Sequence, residues 1–317
     1  MFSSVIRLGT VLGCAAVLAS CGGSSGQALT QQSTPEGLFT GTNQIEVVTG
    51  TTQNASGATV PSYTLENQSW LVFMEANGSY YAFYSQPNAA ALNPSTLGGV
   101  QQGTMTFGGG GMAAANVLDI NFQPGLMVPG ATSAANFPSF NGAYNTGLNI
   151  AGTFTYSNIE YSGTTASPSC QNLTSAPTGA YTVCYNLPYN ADYQKTQNLS
   201  TLAGSYKGTV ATSVGRQAAT FTFSPASVQA NAGNQFGVAT VSGTGADGCT
   251  YSGTVSPLFK GNGYNLLLNS GNAPCVLPNT QFSGLVYLDT TDNPNQLYSF
   301  SPNAAHSDGV IFVGTRI

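Results

Sequence analysis

From residue 37 onward the chain is written in short runs that alternate apolar and polar side chains, each closed by Gly, Asn, Asp or Pro. A period of two puts successive side chains on opposite faces of an extended strand, whereas a helix needs apolar positions spaced by three and four. Trp70-Leu71-Val72-Phe73-Met74 and Tyr80-Tyr81-Ala82-Phe83-Tyr84 flank an Asn77-Gly78 turn. Both turn residues tolerate positive φ, which makes Asn-Gly between two such runs a strong hairpin signal. Further runs occur at Gly103–Phe107, Val117–Phe122 and Gly152–Tyr156. They recur at Gly204–Val210, Ala219–Phe223, Gly248–Val255, Tyr264–Leu268, Phe282–Leu288, Gln296–Phe300 and Val310–Gly314. One face of each strand is expected on a core and the other in solvent. Antiparallel strands in such numbers hide their edges by closing into barrels or sandwiches. The predicted class is therefore all-β, as two small antiparallel β-barrel or sandwich domains. A single helical turn is expected at Leu199–Leu202, capped by Asn198.

Gly37-Leu38-Phe39-Thr40-Gly41-Thr42 is echoed by Gly204-Ser205-Tyr206-Lys207-Gly208-Thr209, and each copy is expected to open a domain. Between them, Tyr185–Tyr193 has no period and is rich in turn formers. These features place a boundary near residue 195, giving a β-rich domain at 36–195 and a barrel-like domain at 196–317. Only 5% of the residues are charged, and the net charge is −5 with six Lys and Arg in all. No basic stripe exists to neutralise phosphates, so nucleic acid is excluded as a partner.

The N-terminus carries Arg7, an uncharged run from Leu8 to Leu18, and small residues leading into Leu18-Ala19-Ser20-Cys21. This is the three-part build of a bacterial secretory signal, and its ending resembles a lipobox. It implies a signal peptide at 1–20, acylation of Cys21, and a flexible lipidated tether at 21–35 that begins Gly22-Gly23-Ser24-Ser25-Gly26. Two or more acyl chains anchor a protein stably in a membrane. No Asp follows Cys21, which under the enteric sorting rule implies the outer membrane, with the mature chain facing the periplasm or the cell surface. Of six cysteines, Cys14 leaves with the signal and Cys21 takes lipid, so Cys170, Cys184, Cys249 and Cys275 remain as an even set in an oxidising compartment. Three connectivities exist, and sequence locality favours Cys170–Cys184 and Cys249–Cys275. Zinc would want paired CxxC spacing or nearby histidines, and the sequence has neither.

The Gly-x-aromatic-x-Gly-Thr opening, the hairpin at 77–85, the strand Gly248-Cys249-Thr250-Tyr251-Ser252-Gly253, the later Cys275 and the Gly314-Thr315-Arg316 ending together resemble a group of uncharacterised two-domain β-rich lipoproteins from proteobacteria. That resemblance implies a lipid-anchored envelope protein and brings no activity with it. The chain departs from the pattern by long inserts at 125–147 and 164–183. A looser likeness to the barrel domains of surface iron-uptake lipoproteins is one of architecture alone.

Signals of chemistry are sparse. His306, the only histidine, lies in a turn-like stretch with Ser307 and Asp308, and adjacent loop residues do not make a triad. Asp289-Thr290-Thr291-Asp292 offers oxygen ligands but not the loop of an EF-hand, and Gly108–Gly111 lacks phosphate-loop spacing. No catalytic residue, cofactor or metal site is assigned. Trp70, Tyr80, Tyr81 and Tyr84 are the candidate ligand-stacking residues, read as a platform for sugar beside the hairpin. The function expected is a non-enzymatic binding or structural module of the envelope, whose partner is a glycan, a small ligand or another envelope protein. A carboxylate-dependent glycan hydrolase is the alternative.

Overall fold

The β-rich reading resolves into two closed antiparallel barrels of eight strands each. The computed structural model describes residues 35–53, 55–108, 111–122, 139–145, 147–160, 180–225 and 237–317. The signal peptide, Cys21, the tether up to residue 34, and Cys170 lie outside the described residues. The first barrel comprises β1 (Gly37–Gln53), β2 (Thr59–Met74), β3 (Ser79–Ser85), β4 (Leu97–Gly108), β5 (Gly111–Asn121), β6 (Ser139–Asn145), β7 (Asn149–Glu160) and β8 (Ala180–Asn190). The second comprises β9 (Gly204–Thr212), β10 (Gly215–Pro225), β11 (Ala239–Gly245), β12 (Thr250–Pro257), β13 (Gly263–Ser270), β14 (Gln281–Asp289), β15 (Gln296–Pro302) and β16 (Gly309–Arg316). A 3-10 turn (Ala191–Gln194) and a one-turn helix α1 (Leu199–Leu202) connect them, and Asn198 caps α1 by accepting from the Ser200 N–H at 2.8 Å. Among the described residues no helix is long and apolar enough to cross a membrane.

Each copy of the repeated motif forms the strand on which its barrel closes. β1 meets β8 through Leu38↔Asn190 and Phe39↔Tyr189, and β9 meets β16 from Ala211↔Ile311 to Tyr206↔Arg316. Phe39 and Tyr206 both point inward and are fully buried. The glycine two residues on permits closure: a Cβ on Gly208 would collide with the Val313 carbonyl. Tyr185–Asn190, aperiodic and rich in turn formers in sequence, is the last half of β8 and closes the first barrel. Inward-facing Tyr185 and Leu187 alternate there with exposed Asn186 and Pro188, so pairing on both edges overrides the turn-forming residues. The insert at 125–147 likewise contains β6.

The expected alternation between core and solvent holds on β11, with its strictly alternating burial, but fails on β3, β15 and β16. These strands are buried on both faces because the barrels pack against each other. Leu71, Phe73, Tyr81 and Phe83 of the first barrel form one apolar cluster with Leu285, Tyr287, Tyr298, Phe300, Ile311 and Val313 of the second. Rings continue through this seam: Phe73 lies 5.5 Å from Tyr193 and 6.0 Å from Tyr287, and Tyr298 lies 6.2 Å from Tyr287 and 5.6 Å from Phe83. At its margin the β3–β4 loop is bound by the second barrel, with Gln296 Nε2 and Tyr298 Oη donating to the Leu92 carbonyl at 2.7 and 3.0 Å.

Candidate functional site

Where the connector runs between the barrels, a cleft of about 440 Å³ opens on the seam. Its size falls within the usual range of ligand sites. Glu36 just before β1, Tyr144 from β6 and Tyr189 from β8 form one wall. Tyr193, Lys195 and Gln197 of the connector, with Phe259, Lys260 and Gly261 of the β12–β13 turn, form the rest. The aromatic wall is anchored from within: Phe39 packs edge-on against Tyr144 at 6.1 Å and Tyr189 at 5.8 Å. Tyr193 is buried and ends in a hydroxyl without a hydrogen-bond partner, and its burial, with the Glu36 carboxylate nearby, pushes its pKa up. Gly261 has φ +80° and lies so close to Tyr193 that a Cβ would strike the ring. Gln197 fixes that turn by donating to the carbonyls of Leu258, at 3.0 Å, and Gly261. Across the cleft Lys260 Nζ pairs with Glu36 Oε1 at 3.1 Å, and Lys195 Nζ pairs with Asp192 Oδ2 at 2.9 Å. The cleft therefore offers aromatic faces, two exposed ammonium groups and side-chain amides on a fixed frame.

The sequence-predicted stacking residues do not assemble into a platform. Trp70, Tyr80 and Tyr84 point into the first barrel, whereas Tyr81, one residue out of phase, points into the seam; all four are buried. Trp70 lies 4.9 Å from Tyr84 and 5.9 Å from Tyr185, so its faces are occupied by protein. The Tyr84 hydroxyl donates to buried Asp119 at 2.7 Å. Burial raises the pKa of both Tyr80 and Tyr81. The correction is physical: Trp70, Tyr80 and Tyr84 fall on the inward face of their strands, and the second barrel covers Tyr81 on the outward one.

His306 sits at φ 52° in the β15–β16 turn and reaches Gln102 of the first barrel through Nε2, a packed position that lowers its pKa by desolvation. Its neighbour Asp308 accepts from the N–H groups of Ser213 and Gly309 at 2.9 and 2.7 Å, which is turn-building. Asp289 accepts from the Thr291 N–H at 2.8 Å in the same manner. Among the described residues no group of three His, Cys, Asp or Glu side chains is placed to hold a metal. Cys249 and Cys275 are joined by a disulfide with Cα atoms 4.5 Å apart, beside a smaller cavity of about 220 Å³ at the mouth of the second barrel. The expected Cys170–Cys184 bond falls outside the described residues.

Sequence reasoning missed the cleft because its residues come from four separated segments. Tyr189 and Tyr193 lay in the stretch read as a boundary, and nothing local marks Phe259 or Lys260. Neither a protein-family model nor a curated protein matches this chain. Among solved structures, a mutant of the vaccine antigen transferrin binding protein B from Haemophilus parasuis is similar at a TM-score of 0.20 and 10% identity, over 89% of this chain and 77% of that one.

Proposed function

We propose that this chain is a lipid-anchored binding module of the bacterial envelope, with Cys21 as the acylated residue and the cleft on the seam as its ligand site. In this reading residues 1–20 are the signal peptide and 21–35 the tether, while 36–195 and 196–317 are the two domains, held at the outer membrane. The end of β8 at Asn190 and the start of β9 at Gly204 support that division. Cys170 and Cys184 form the second disulfide. The observation that carries the functional reading is the cleft itself: aromatic walls and two ion pairs on a frame packed from behind by Phe39 and Phe73. Such a lining suits a glycan segment, a small polar ligand or a loop of an envelope protein. The hydrolase alternative needs two facing carboxylates. Among the described residues that line the two sites, the cleft has one carboxylate, Glu36, held by Lys260, with Asp192 paired to the lining Lys195, and the smaller cavity has one, Asp247.

Labelled palmitate should enter the native chain and not Cys21→Ser. In a thermal-shift screen, a ligand at a hundred times its Kd adds about 2.7 kcal/mol. Shifts that report the cleft should vanish in Phe259→Ala and Lys260→Ala, both at exposed positions. A ligand whose shift survives both substitutions sits elsewhere, and glycan cleavage lost in Glu36→Gln would favour the hydrolase.

A further inference from the structure

We infer that the cleft-bearing end of the molecule rests on the headgroup layer of the membrane that holds the anchor, with Phe259 and Leu148 entering the interface. The inference rests on Cys21 being the anchor and names a lipid surface as the partner of the proposed site. Its first support is where the tether joins the fold. Glu36, a lining residue of the cleft, directly follows the fifteen-residue segment 21–35. A connection of fifteen residues can span at most about 50 Å. This end of the fold is thus the end leashed to the bilayer.

The second support is what stands exposed there. Phe259, on the β12–β13 turn, is 87% exposed, and Leu148, next to the lining residue Gly147 on the β6–β7 turn, is 71% exposed. Two large apolar side chains project from turns of different barrels at one rim. Lys195 and Lys260 flank them with side chains 47% and 56% exposed. Exposed ion pairs of this kind hold weakly, so each ammonium can turn to a lipid phosphate while its stem lies along apolar surface. Apolar tips beside amines are the make-up of an interfacial contact. Tethering supplies a high local concentration of lipid, so little intrinsic affinity is needed.

The test uses the lipidated full chain on mixed phosphatidylethanolamine–phosphatidylglycerol vesicles, with and without brominated acyl chains. Phe259→Trp should add an emission that shifts to the blue on vesicles and is quenched by bromine. Val214→Trp, at a position 72% exposed beside the other cavity, should show neither change. Protein that sediments with vesicles while Phe259→Trp stays unshifted overturns the inference and leaves the anchor standing. Protein that fails to sediment at all overturns both. A soluble oligosaccharide released from lipopolysaccharide that shifts Phe259→Trp in vesicle-free solution, with no effect of vesicles, assigns the cleft to a glycan and contradicts the lipid surface.

Discussion

The two barrels share a strand count and a closing motif, and differ in what fills them. The second holds an apolar interior of Val, Leu, Phe and Tyr, in which the Tyr206 hydroxyl is satisfied by the Leu202 carbonyl at 2.8 Å. The first encloses Asn43 paired in register with Gln68, and Gln101 paired with Asp119, all buried among its aromatics. A buried carboxylate is tolerated only when hydrogen-bonded, and Tyr84 supplies one such bond. The difference teaches that a shared topology does not dictate a shared interior. The second barrel is packed as a support, and the first depends on polar contacts inside and on its neighbour outside.

The seam is where that comparison breaks most easily. Phe73 is fully buried between Tyr193 and Tyr287, and Phe73→Ala should cost about 3–5 kcal/mol. Chemical denaturation should show it as a lower midpoint. The disulfide should matter next. Cys249→Ser with Cys275→Ser opens a loop with a sequence separation of 26, worth about 3.5 kcal/mol on the chain-entropy model. A smaller loss would mean the apolar interior holds the β11–β12 and β13–β14 turns unaided.

Much of this architecture was legible. Period-two runs and glycine-spaced openings announced two antiparallel β domains, barrels or sandwiches, and the Asn198 cap marked the helical turn at Leu199–Leu202. The seam was also written in the sequence, in Leu71–Met74, Tyr80–Tyr84, Leu285–Leu288 and Val310–Val313, where apolar residues run on without alternating. Continuous runs mean burial on both faces, but nothing local says which barrel covers which. The candidate site was not legible. Its residues are ordinary turn aromatics and lysines that only the docking of the two barrels assembles, and the aromatic run that looked like a platform is core.

Smaller effects separate the two interiors. Tyr84→Phe removes a bond to a buried carboxylate and should cost about 1–3 kcal/mol, whereas Tyr206→Phe, which loses a neutral bond, should cost about 1 kcal/mol. Equal losses would erase the distinction between a polar and an apolar filling. Tyr287 in the seam is fully buried with an unpartnered hydroxyl. Tyr287→Phe should therefore be neutral or slightly stabilising, and thermal unfolding would show a destabilisation if a buried water bridges that group.

The coupling of the barrels through the seam is tested most directly by amide hydrogen exchange on Phe73→Ala beside the parent chain. The substituted ring belongs to β2, and its contacts reach Tyr287 on β14. Packing across the seam predicts faster exchange in both barrels, in β2 and β3 and equally in β14 and β15. Faster exchange confined to residues 37–190, with β14 and β15 as protected as in the parent, would contradict it.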